Sequence, residues 1–126
     1  MRIIILPALN GDCILVEIQP SHYILIDGGY VDTYENYLLP TLEEIAARGG
    51  ELDIVVVTHI DCDHISGIIR MMEDMPIGIT VTDIFSQWLS LRQKKKRLFI
   101  EIYAKSIERR KQNPLVQNRG VPCLHL

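Results

Sequence analysis

Long apolar runs are missing from this chain of 126 residues, and nothing in it approaches the length needed to span a bilayer. The opening Arg2 is followed by only four apolar residues, Ile3 to Leu6, before Pro7, Asn10 and Asp12 close the run. That is too short for a secretory signal, so a first β-strand and a cytoplasmic setting are the default expectation. Cysteine is scarce too. Cys13, Cys62 and Cys123 are odd in number and widely spaced, with no CxxC pair. They make no disulfide framework, and a reducing compartment fits them. Internal repeats and low-complexity segments are also lacking.

Positive charge is the other scarcity, and it is local. Residues 1–83 hold Arg2, Arg48 and Arg70 against fourteen acids, a net −11. Residues 84–126 hold ten Lys or Arg against Glu101 and Glu108, a net +8. An overall charge of −3 therefore conceals two opposite fields, each of which selects its own partners. The size fits a single domain, and the 48% apolar content suffices for a core.

Three short apolar segments come first, Ile3–Leu6, Ile14–Ile18 and Tyr23–Ile26, each closed by turn residues. Their β-branched content and close spacing predict a meander of strands. The stretch "VDTYENYLLPTLEEIAARGG" predicts a helix with Asp32 or Thr33 as cap and Pro40 in a first turn. Gly49 and Gly50 end it. Leu52–Val57 lacks polar alternation and predicts a strand buried on both faces. Ile65, Ile68, Ile69 and Met72 then give a helical stripe, and Ile77–Val81 a further short strand. From Asp83 to about Lys111 the pattern is helical again, as one helix or two, with the basic run Arg92, Lys94, Lys95, Lys96 and Arg97 inside it. The division expected is 1–82 and 83–126, the second being a basic helical segment with an irregular tail.

The chemistry concentrates in "THIDCDHISG", residues 58–67. If the chain stays extended after Val57, side chains two apart share a side, so His59, Asp61 and Asp63 face one volume. His64 opens the next helix beside them. Imidazole and carboxylate suit zinc, manganese or iron. Four such donors in six residues exceed what one ion takes from one loop, which points to a two-metal site. Taken singly, each has an ordinary use: an aspartate caps a helix, a histidine bonds a loop carbonyl. Together, on a strand-loop-helix frame, they read as metal ligands. Cys62 between them is expected to turn into the core, and His22 to lie exposed in a hairpin turn.

These residues resemble the H-x-H-x-D-H signature of the metallo-β-lactamase-fold hydrolases. "NGDCILVEI" (residues 10–18) is similar to that family's second strand, and "YILIDGG" (residues 23–29) to the strand and glycine turn before its first helix. The resemblance covers about residues 1–82. It implies an α+β fold, the N-terminal half of an αββα sandwich, and a metal-dependent hydrolase acting on a phosphodiester or other ester. It further implies that His59 and Asp61 serve a first metal and Asp63 and His64 a second. Asp63 would also orient the attacking water, and Asp27 would lie under the site without being a ligand. Asp61 stands where the family usually has a second histidine, and this H-x-D-x-D-H form resembles the ComEC-like branch. The extra carboxylate admits manganese or magnesium beside zinc.

The family's later ligands have few counterparts after residue 83, where His125 is the single histidine. Two alternatives therefore stand beside the hydrolase. One is a truncated, non-catalytic metal-binding relative, or one completed by a second copy in a homodimer. The other is a nucleic-acid-binding module that uses Arg92–Arg97 and Arg109–Lys111.

Overall fold

The structure is a computed structural model, and residues 1–86 are described. Five strands form one mixed sheet in sequence order: β1 (Arg2–Ile5), β2 (Ile14–Gln19), β3 (His22–Ile26), β4 (Glu51–Val57) and β5 (Val81–Ser86). The β1–β2 and β2–β3 pairs are antiparallel, whereas β3–β4 and β4–β5 are parallel. The first three strands are the expected meander, because only short turns separate them. Parallel pairing needs a crossover, and the two helical segments provide it. They are the run of α1 (Val31–Thr33) and α2 (Leu39–Ala47) with a π turn (Tyr34–Leu38) between them, and α3 (Cys62–Glu73). No helix among the described residues is long and apolar enough to cross a membrane.

Pro40 explains the π turn. It has no N–H to donate, and its ring collides with the carbonyl four residues earlier. The ladder loosens upstream, where the Leu39 N–H reaches back five residues to the Tyr34 carbonyl. Pro40 stands in the first turn of α2 as expected. The start of the run differs, since Tyr30 and not Asp32 or Thr33 precedes its first turn. At its end Gly49 takes φ +71, the Gly49 N–H bonds Ala46 O (2.9 Å), and the Gly50 N–H bonds Ile45 O (2.9 Å). Those two bonds satisfy carbonyls that the last turn leaves open.

One face of the sheet carries Leu15, Tyr23, Leu25, Leu52 and Val55 into a core shared with Tyr34, Leu38, Leu42, Ile45, Ile65, Ile68 and Met71. Each such aliphatic side chain contributes about 1.5–3 kcal/mol relative to exposure. The Tyr34 hydroxyl donates to the Asp74 carbonyl and ties the helical run to the end of α3. Burial and the nearby Asp74 charge push that phenol up to about 12. Among the described residues the opposite face is not covered in the same way: Ile3 (58%), Ile5 (75%) and Phe85 (53%) are exposed. Ile54 and Val56 on that side are half-buried, so β4 is not buried on both faces as expected.

Two expected elements shift. Ile77 is fully exposed in a turn, with Gly78 at φ +90 and the Ile79 N–H on Pro76 O (3.2 Å). The strand therefore starts at Val81 and runs to Ser86, through Asp83 where a helix was expected, because Ile54–Val57 offers a parallel ladder to residues 83–86. In α3 the buried side includes His64, Gly67, Ile68 and Met71, and Met72 turns out (40% exposed). Close packing on the Gly28–Gly29 turn rotates the helix that way.

Cys13 is buried in the core as a free thiol, and burial, with the Asp27 charge beyond it, pushes it up to about 12. A thiol so protonated is a poor nucleophile. Iodoacetamide at pH 8, followed by peptide mass mapping, should leave Cys13 unlabelled in the folded protein and label it fully in urea.

Candidate metal centre

The site lies at the C-terminal ends of the parallel strands β3 and β4. It is assembled around Asp27. This residue follows β3 with φ +52, a conformation that aspartate tolerates better than most side chains, and its N–H bonds Val56 O at 2.8 Å. Its carboxylate is 1% exposed. Oδ1 accepts the Thr58 N–H at 2.8 Å, and Oδ2 accepts the Thr58 hydroxyl and lies 3.0 Å from His64 Nδ1. A buried carboxylate is tolerable only with such partners. In return it fixes the loop that follows β4 and the first turn of α3.

Backbone contacts lock the same geometry. The Gly28 N–H bonds His64 O (2.8 Å), and the Gly67 N–H bonds Gly29 O (2.8 Å). A Cβ on Gly67 would lie 1.9 Å from Gly28 O, and one on Gly11 would lie 1.6 Å from Asp63 O. Helix α3 thus rests directly on two turns, with no side chain between.

Each histidine has one nitrogen anchored and the other turned to a neighbouring carboxylate. For His59, Nδ1 is 3.1 Å from Thr58 Oγ1, and Nε2 is 3.5 Å from Asp61 Oδ2. For His64, Nδ1 faces Asp27, and Nε2 is 3.6 Å from Asp63 Oδ2. The two rings lie 3.7 Å apart, centroid to centroid. Asp61 precedes α3, and its carbonyl accepts the N–H groups of His64 (2.9 Å) and Ile65 (3.0 Å). Its side chain makes no capping bond and is 73% exposed, so helix capping does not account for this carboxylate.

This arrangement fits divalent cations. Donors sharing one ion at about 2.0–2.2 Å stand about 3.0–3.5 Å from each other, close to the His59–Asp61 and His64–Asp63 spacings. An imidazole whose far nitrogen is held by a carboxylate is the usual form of a metal-binding histidine. Asp27, His59 and His64 also place ligand atoms within 4.8 Å of one another. Asp27 already accepts from Thr58 and His64 and is enclosed, so it acts as the anchor of that group. The field is one-sided: Arg2, Arg48 and Arg70, the only Lys or Arg in residues 1–86, pair with Glu17, Glu44 and Glu35.

Two contributors escaped the sequence reading. Asp12 Oδ2 comes within 3.8 Å of His64 Nδ1 from the β1–β2 turn, and Thr58 holds both Asp27 and His59. The "NGD" turn was a visible signal for Asp12, but nothing local links residue 58 to residue 27. Cys62 is half-buried and disulfide-bonded, so it does not turn into the core as expected. His125 and the run Arg92, Lys94, Lys95, Lys96 and Arg97 lie outside the described residues.

Residues 6–97 match the family model of the metallo-beta-lactamase superfamily. The chain belongs to that superfamily, and the mixed five-stranded sheet with its helices is consistent with an α+β portion of such a fold. Neither the curated proteins nor the solved structures contain a significant match.

The glycine contact gives a direct check. Gly67→Ala should cost about 3 kcal/mol in urea unfolding. Gly49→Ala, where a Cβ meets nothing within 4 Å and only φ is strained, should cost about 1 kcal/mol. Equal losses would mean that α3 does not rest on the Gly28 carbonyl.

Proposed function

We propose that the protein is a metal-dependent hydrolase acting on a phosphodiester or another ester. The observation that carries this reading is the pairing of each free imidazole nitrogen with a carboxylate beside it, Asp61 for His59 and Asp63 for His64, at 3.5 and 3.6 Å. His59 and Asp61 hold one divalent ion, and Asp63 and His64 hold the second. When bound, such a pair supplies an activated water at neutral pH and stabilises charge on the leaving oxygen. Zinc suits the imidazoles best; four nearby carboxylates, Asp12 included, make manganese or magnesium reasonable too.

The chain's own residues divide the work. Asp63, on the first turn of α3, orients the water and accepts its proton at the free carboxylate oxygen. Asp27 holds a proton on His64 Nδ1, which leaves Nε2 as the donor to metal. Thr58 keeps His59 in the matching orientation. The acidic loop at the N-terminus of α3 also gains from the helix dipole, which favours negative charge there. Asp61, in place of the family's usual histidine, supports a place in the ComEC-like branch.

Metal analysis of the purified full chain, beside hydrolysis of bis(p-nitrophenyl) phosphate, tests the reading. Two divalent ions that are lost in a His59→Ala/His64→Ala double variant are expected per active unit, and Asp63→Ala should lower hydrolysis by about 100-fold or more with the fold retained. A chain that binds no ion removes the proposal. One that loads ions yet leaves the ester intact is the non-catalytic relative instead. Asp27→Asn should weaken metal binding by about 10- to 100-fold, read by competition with a chromogenic chelator. Unchanged affinity would deny Asp27 its anchoring role.

A further inference from the structure

A second group of metal-binding side chains lies at the other end of the same strands. His22 starts β3, and Glu51 and Asp53 stand two apart at the start of β4. Strand alternation sends Tyr23 and Leu52 into the core, so His22, Glu51 and Asp53 share the opposite face. His22 Nδ1 is 3.0 Å from Asp53 Oδ1 and 3.2 Å from Glu51 Oε1. Thr80 steadies Glu51 through a hydroxyl bond to Oε2 at 3.4 Å. All three ligand atoms fall within 4.8 Å of one another. His22 is half-buried here, not exposed as the hairpin turn suggested.

We infer that His22, Glu51 and Asp53 form a separate binding site for one divalent transition-metal ion, with zinc as the reference ligand. One imidazole and two carboxylates are a sufficient three-donor set, and a fourth position stays open to water. The donors sit on adjacent, hydrogen-bonded strands, so little ordering remains for binding to accomplish. The two spacings from His22 Nδ1 match that of donors sharing an ion, about 3.0–3.5 Å. The hydrogen bond to Asp53 raises the basicity of His22 above the ordinary histidine value. The seven residues of β4 separate this site from the His59 loop by about 20 Å, so the two cannot share ligands.

Zinc titration of the full chain by calorimetry decides the matter. The His59→Ala/His64→Ala double variant should retain one zinc-binding step. Adding His22→Gln to it should abolish that step or weaken it at least tenfold, and Glu51→Gln, at a half-exposed position, should act in the same direction. Thermal melts in EDTA must show that each variant folds; should His22→Gln fail, Glu51→Gln carries the test alone. Equal zinc affinity with and without these substitutions, or no zinc binding in the double variant, overturns the site. Either result leaves the hydrolase proposal untouched, because that one rests on the ions which the double variant loses.

Discussion

Everything near the candidate centre depends on one buried carboxylate. Asp27 is the only fully enclosed acid among the described residues, and its oxygens draw together a strand end, a loop and a helix. Without Thr58 and His64 as partners its burial would be costly, and without Asp27 neither partner has a fixed orientation. The interaction is therefore mutual. A charge that would be a liability in the core becomes the reference point from which the histidines are aimed.

Glycine supplies the second half of that arrangement. The Asp27 contacts set where the loop points, while Gly11, Gly28 and Gly67 set how close it comes. Backbone meets backbone at both turns, so the position of α3 leaves no room for side-chain rearrangement. A metal site needs such stiffness, since a cation rewards donors held at fixed separations and gains little from flexible ones.

Much of this was readable in the sequence, and for identifiable reasons. Strands β1 to β4 were placed within a residue because β-branched runs closed by Pro, Asn and Gly leave few choices. The Schellman-type stop at Gly49–Gly50 and the position of Pro40 followed from backbone chemistry alone. His59, Asp61, Asp63 and His64 stood out by spacing, a local property. What failed was non-local. The shift of β5 to Val81–Ser86 depends on a ladder offered by β4, and the outward turn of Met72 depends on a glycine contact forty residues away in the chain. Asp12 and Thr58 belong to the site through tertiary contacts that no window of sequence contains.

The π turn at Tyr34–Leu38 has a consequence for length rather than for stability. Such a turn holds one residue more than an α-helix of equal rise, so it takes up an inserted residue without passing the change on. Upstream, the Asp27–Gly29 turn keeps its contacts with α3; downstream, Leu42 and Ile45 still face the core. The connection from β3 to β4 can therefore gain or lose a residue over evolutionary time while the histidine loop stays where it is. The chain keeps its slack in a place where chemistry does not depend on it.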